Sequence, residues 1–421
     1  MDPLPLARLQ FATTTSIHFL FVLVTLGLVT LLVYLQTTSF VTRKPVYERM
    51  VRFWGTIYLI NYVLGIATGI VMEFQFGLNW SGLSRYTGNV FGAPIALETL
   101  LAFFLESTLL GMWIFGWHRL RRGVHLALLY GVAITAYLSA FFIMAANAWL
   151  QHPVGYEVRD GVAHLTDFTA LLTNPTFTMA LGHVTSAAVL TGGMVLAGIS
   201  AWLMLRRSPD YELLRKSLWI GLVTVTIAGV PLMGFGFAQF GAVGEVQPTK
   251  FGDDAAKAQA VADFTARFGP GDYLPPAYAN ASLGFMILIG FTLAWAFVML
   301  PLFYRDWIVR LKFPLVIVGL SLPLPFVAAI LGWLTREGGR QPWAAYGLLK
   351  VDDAVSPISG GVMLASFLGF TALLLTLAVT NWVLIAKRAA RGAADPALGR
   401  SLADVTAEDD DERRPEPALA R

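Results

Sequence analysis

Six ionisable side chains interrupt stretches of sequence that are otherwise apolar: His18, Glu73, Glu98, Glu106, His183 and Glu337. Arg8 and Arg340 stand at the edges of such stretches. An ionisable group in an apolar medium is expensive, so each is a functional candidate by default. Neutral imidazole ligates metal ions and haem iron. Carboxylates relay protons or ligate. Glu98 and Glu106 are eight residues apart; on a helix that places them about 80° apart and about 12 Å along the axis. They can share one face, as a proton relay or a ligand pair requires. Plainer readings compete. A lone membrane histidine is more often hydrogen-bonded between helices than a ligand. Glu73 equally suits the capping of interfacial backbone groups. Trp333 reads as packing, and the methionines as core filler. His118, His125, His152 and His164 fall at the ends of apolar stretches or between them, and are read as solvated. On residue types alone, a redox protein and an ion-coupled transporter both stay open.

The elements that position these groups follow from composition. Of 421 residues, 56% are hydrophobic and only 14% charged, against about 25% charged in a soluble globular chain. Mean hydropathy is +0.63. There is no cysteine, which excludes disulfides, iron–sulfur clusters and thiolate zinc sites. A net charge of +3 with scattered basic residues excludes a nucleic-acid surface. The chain reads as an all-α, polytopic membrane bundle. Nine apolar windows are long enough to span: roughly 11–36, 53–74, 92–117, 124–150, 177–205, 217–241, 280–304, 313–334 and 357–386. Arg8 is followed at once by the first window, with no small-residue cleavage site, so this window is read as a span and not a signal peptide.

Basic residues set the orientation. Alternate connections and the C-terminal tail hold 21 of the 30 Lys and Arg, including Arg43, Arg119, Arg206, Arg305 and Lys387. This predicts an outer N-terminus and a cytoplasmic C-terminus. The ionisable groups then gather in the outer half of the membrane. Residues 1–388 form one membrane domain, in which 242–279 is a short outer loop. Residues 389–421, rich in Ala, Pro and charge, read as a disordered cytoplasmic tail.

Several strings carry more than composition. They are RLQFATTTSIHFLFVLVTLGL at 8–28, GIATGIVMEFQFGLNW at 65–80 and FGAPIALETLLAFFLESTLLGMWIFGW at 91–117. LSAFFIMAANAWLQHP at 138–153, GHVTSAAVLTGGMVLAGISAWLML at 182–205 and GWLTREGGRQPW at 332–343 extend the set. With these the chain resembles subunit I of the cytochrome bd-type terminal oxidases, up to about residue 388.

The resemblance implies roles. His18 is the expected axial ligand of haem d, or of a haem b in its place, where oxygen binds. Glu98 is expected at the same site and Glu106 on the proton path. Glu337 is the expected ligand of the high-spin haem b595. His183 is an expected ligand of the low-spin haem b558. Arg8 and Arg340 suit haem propionates, because a guanidinium pairs a carboxylate bidentately, and Trp333 is expected between haems. The connection between spans six and seven is expected to receive quinol, with Lys250 at the matching lysine. The family pattern is broken at two places. Ala255 stands where an acidic residue is expected, and Ser282 and Gly284 stand where Arg-x-Met is expected, with Met286 two residues on. The implied protein is a quinol:oxygen oxidoreductase of the bacterial cytoplasmic (inner) membrane that reduces O2 to water and builds a proton-motive force by charge separation without pumping. It pairs with a subunit II, with room for small single-helix subunits. The alternatives are a divergent bd-type subunit with another electron donor, or an ion-coupled transporter.

Overall fold

A computed structural model describes residues 2–304, 307–392 and 398–399, with the backbone alone at 101–103 and 309. Arg305 and the tail residues Arg400, Arg413, Arg414 and Arg421, all used for orientation, lie outside the described residues, as does most of the tail.

Among the described residues nine helices are long and apolar enough to cross a membrane. They are α1 (Pro3–Thr42), α2 (Pro45–Leu78), α3 (Ser81–Phe115), α4 (Arg122–Gln151), α5 (Pro175–Leu205), α6 (Tyr211–Val246), α7 (Ala277–Tyr304), α8 (Phe313–Gly338) and α9 (Gly360–Ala390). Several starts are written in the sequence. Asp2 accepts a hydrogen bond from the Leu4 N–H ahead of Pro3, and Asn174 caps the Thr176 N–H ahead of Pro175. Asp210 and Ser359 cap α6 and α9. A side-chain acceptor followed by a proline that needs no donor is a strong helix start.

α1 and α5 are the innermost helices. They meet at Gly27 and Gly192, where a Cβ on Gly27 would run into the Ala188 carbonyl and stand 2.7 Å from the Gly192 nitrogen. Small residues let membrane helices approach this closely. Gly193 of α5 meets Gly221 of α6 in the same way.

α1 and α2 are also joined by a polar seam. Gln10 donates to Asn79 (3.0 Å) and Thr14 to Gln75 (3.1 Å). His18 bonds Thr68 (2.8 Å), and Asn61 donates to Thr25 (3.0 Å). α9 closes this seam from outside. Its Ser366 bonds Asn79 and Gln10, and Asn381 donates to Asn61 (3.2 Å).

The connections are structured. Between α4 and α5, β1 (Tyr156–Arg159) pairs antiparallel with β2 (Val162–Leu165). The connection between α6 and α7 is largely helical, with a turn at Pro248–Phe251 and an amphipathic helix at Asp254–Phe268. Phe264 and Phe268 of that helix each lie 4.8 Å from the Trp343 ring, and Tyr273 stacks on it at 5.8 Å. This cluster seals the segment after α8. At the opposite end of the bundle, Leu398 is buried in the main core, and the Gly399 carbonyl accepts from Arg52 (3.1 Å) and His118. That part of the tail is packed against the bundle.

One expectation fails here. His125 is buried, not solvated. Trp113 Nε1 donates to Gln36 Oε1, Gln36 Nε2 to His125 Nδ1, and His125 Nε2 to the Trp113 carbonyl. This closed ring satisfies both imidazole nitrogens and leaves none for a ligand.

Candidate functional site

Two cavities lie side by side in the bundle. The larger, ≈ 650 Å³, is lined by His18, Glu98, Glu106, Glu337, Arg8, Arg340 and Trp333, among mostly apolar neighbours. Three helices (α1, α3 and α8) and the segment after α8 supply these groups. The smaller, ≈ 180 Å³, is lined by His183, Met233, Met286, Lys250, Arg336 and again Trp333. Trp333 and Phe19 border both cavities and stack at 5.8 Å, so this pair is the wall between them. The residues singled out in the sequence therefore fall into two groups that touch at one tryptophan.

His18 reaches the larger cavity from α1, and Gly69 of α2 leaves room for its ring edge: a Cβ there would stand 3.3 Å from Cε1. Glu98 comes from α3 and accepts a hydrogen bond from Ser139 of α4 (2.8 Å), with Glu73 its carboxyl neighbour. Wider, π-type turns run from Leu100 to Glu106, so the two carboxylates of α3 do not keep ideal α-helical spacing. Both still face the same space. Such turns inside helices are common at functional sites. Glu106 is 3% exposed, its Oε1 has no hydrogen-bond partner, and Tyr58 of α2 lies beside it.

Glu337 stands in the last turn of α8. Its Oε2 accepts from Arg340 (2.6 Å), and its Oε1 from Asn147 (3.0 Å) and Gln151 (3.3 Å) of α4. Arg336 donates to Asn147 (2.6 Å), which holds the amide in that orientation. Gln247 in turn donates to Gln151 (3.0 Å). Asn147, Gln151 and Arg336 escaped the sequence reading. Amides carry no charge to flag them, although 147 and 151 lie one turn apart on the face of α4 that meets α8.

His183 donates from Nδ1 to the Leu232 carbonyl of α6 (2.9 Å). A carbonyl only accepts, so the proton is on Nδ1 and the lone pair on Nε2. Gly236, one turn on, leaves the ring space: a Cβ there would lie 3.1 Å from Cε1. The Met286 sulfur packs over Gly332 of α8, where a Cβ would stand 2.8 Å from it. Lys250 is buried against the end of α8 and not splayed into the connection. Its Nζ donates to the Arg336 carbonyl (3.3 Å). Burial first, then the Arg336 guanidinium, pushes the Lys250 ammonium down to about 7.

The residue set fits a haem in the larger cavity. The volume lies within the range of about 300–1,000 Å³ typical of ligand sites. An imidazole reaches in from α1, and the buried Arg340 Nη1 has no partner, as an anion-binding guanidinium would. In the smaller cavity the donors fit, with a bare imidazole nitrogen, a thioether and an unpartnered Arg336 Nη2. The volume there is below that range, so a macrocycle needs the flexible methionines to repack. No group of three or more His, Cys, Asp or Glu among the described residues forms a cluster that would hold a bare metal ion.

Comparison with known proteins places these features in context. The family profile for cytochrome bd terminal oxidase subunit I matches residues 6–265 and 255–393. Cytochrome bd ubiquinol oxidase subunit 1 of Bacillus subtilis is 34% identical over 93% of this chain and 95% of its own length. Cytochrome bd-II ubiquinol oxidase subunit 1 of Escherichia coli is 44% identical over 59% of this chain and 49% of its own. A putative cytochrome bd menaquinol oxidase subunit I of Bacillus subtilis is 26% identical over 90% of this chain and 95% of its own. The fold matches the bd oxidase structure from Geobacillus thermodenitrificans with a TM-score of 0.81 at 23% identity, over 93% of this chain and 99% of that one.

Proposed function

The chain belongs to the cytochrome bd terminal oxidase subunit I family, and from that premise we propose that it is the haem-bearing subunit that takes electrons from a quinol and reduces O2 to water. The single observation that carries this reading is the convergence of His18, Glu98, Glu106 and Glu337 on one cavity. Membership of an oxidoreductase family sets aside the ion-coupled transporter. When bound, the haems carry the electrons and bind the oxygen; the protein supplies position and electrostatics.

His18 would hold the oxygen-binding haem (haem d, or haem b in its place), Glu337 the high-spin haem b595 and His183 the low-spin haem b558. Met286, whose sulfur lines the same cavity as His183, would supply the second ligand there. Arg8, Arg340 and Arg336 offer guanidinium donors to propionates. Glu106 and Glu98 hand protons toward the larger cavity. Orientation follows the basic residues, with the N-terminus outside and the tail beyond 388 in the cytoplasm. Protons then cross most of the membrane to reach the cavity, and charge separation needs no pump. The setting is a bacterial inner membrane, and the partner is a subunit II.

The quinol loop supports a second reading. Ala255 replaces the expected acid, and Lys250 is engaged by the end of α8. Both suit a divergent subunit with another donor. The dithionite-reduced spectrum of the purified complex, with haem extraction, tests the scheme. Two haems b and one chlorin support all three sites. Loss of the low-spin haem with the chlorin retained overturns His183 and the quinol route together. A colourless protein overturns the whole reading.

A further inference from the structure

The string Gly65-Ile66-Ala67-Thr68-Gly69 of α2 presents three of its residues to α1. Gly65 packs on Phe21, and Gly69 on the edge of His18. Between them Thr68 is wholly buried, at 0% exposure. Its hydroxyl makes two hydrogen bonds, 2.6 Å to the Gly65 carbonyl and 2.8 Å to His18 Nδ1.

These two distances fix the protons. A threonine hydroxyl has one hydrogen and two lone pairs. The Gly65 carbonyl has no hydrogen, so it takes the hydroxyl proton. Toward His18 the hydroxyl oxygen is then an acceptor only, and Nδ1 carries the hydrogen. The neutral ring is left with its lone pair on Nε2, the nitrogen 4.0 Å from where a Gly69 Cβ would stand. We propose that Thr68 is the positioning residue of His18: through the Gly65 carbonyl it selects the Nδ1–H tautomer and presents a bare Nε2 to the larger cavity. This rests on the reading of His18 as a haem ligand. It adds how the ligand is prepared. The β-branch of Thr68 restricts χ1, so the hydroxyl stays between its two partners. A hydrogen-bonded Nδ1–H also makes the imidazole a stronger donor to metal, and such partners typically matter 10- to 100-fold in affinity. His183 reaches the same tautomer through a backbone carbonyl, which no side-chain substitution removes.

Thr68→Val keeps the shape and deletes the hydroxyl. Thr68→Ser keeps the hydroxyl. The readouts are haem content and the iron–histidine stretching band of the reduced complex in resonance Raman spectra. Thr68→Val is expected to lower that stretching frequency and weaken haem retention at the site by about 10- to 100-fold. Thr68→Ser is expected to restore both, and neither substitution is expected to change the His183 site. A wild-type stretching frequency and haem content in Thr68→Val overturns the proposal. If Thr68→Val does not assemble, Thr68→Ala replaces it in the same comparison, and a wild-type band there overturns the proposal equally. His18→Gly separates the two layers. If the haem and its band survive without His18, the ligand assignment fails whatever Thr68 does.

Discussion

Glu106 faces the larger cavity with Tyr58 beside it and, among the described residues, one oxygen unbonded. A group held this loosely suits proton transfer better than scaffolding. Glu106→Gln is therefore expected to slow oxygen uptake by about 100-fold or more, the scale of a lost general acid–base group, with haem content unchanged. Oxygen-electrode rates beside haem extraction check this, and an unchanged rate removes Glu106 from the path. Met286→Leu is expected to convert the low-spin haem band to a high-spin one, while Met233→Leu leaves it; reduced spectra decide. Lys250 gives a pH signature. Its ammonium falls from an ordinary 10.5 to about 7 on folding. Between those values the unfolded chain binds the extra proton, so stability rises with pH across that window and is flat below it. Thermal unfolding in detergent between pH 6 and 10 is expected to show the rise, and Lys250→Met to flatten it. The histidines show what residue type alone conveys. His18 and His183 interrupt apolar stretches, while His125 stands at the end of one beside Arg121 and Arg122, yet all three are buried or half-buried. Only the bonds made by the ring nitrogens separate the two with a bare nitrogen from the one with none.

The spans were legible because each needs about 20 apolar residues, and that signal is long. Their ends were not. α1 begins at Pro3, eight residues before its apolar window, where Ala7 and the polar Gln10 are buried against protein and do not face lipid. Hydropathy cannot tell a polar residue that faces a partner helix from one that faces water. The π-type turns in α3 leave no mark in composition either. Helix packing was legible only as small residues, and their pairing is the testable part. Gly27→Ala drives a methyl group into α5 at the Ala188 carbonyl. Overpacking of this kind costs about 1–3 kcal/mol, and a lower unfolding midpoint in detergent is expected. Gly229 faces open space, and Gly229→Ala is the control expected to show no loss.

For the whole molecule, the candidate site was legible mainly through the resemblance. Bare residue types could not rank a redox subunit above a transporter. The division into two cavities with Trp333 between them arises from α1 to α8 folding together, and no single window carries it. The absence of cysteine makes the orientation simple to measure. Single cysteines at Asp263 and at Glu212 are each the only thiol in the chain. With an outer N-terminus, a membrane-impermeant maleimide applied to intact cells is expected to label the first and spare the second. The reverse pattern inverts the bundle.

The polar seam has a consequence for the order of synthesis. Asn61 and Asn79 enter the membrane with α2, yet their partners Asn381 and Ser366 belong to α9, the last span to leave the ribosome. α1 holds one end of each amide, Asn61 Nδ2 through Thr25 and Asn79 Oδ1 through Gln10; the other ends, Asn61 Oδ1 and Asn79 Nδ2, gain their α9 partners only when the last span packs. Completion of the chain is thus marked in the fold itself: the final helix, though mostly exposed, supplies the last hydrogen bonds of the seam.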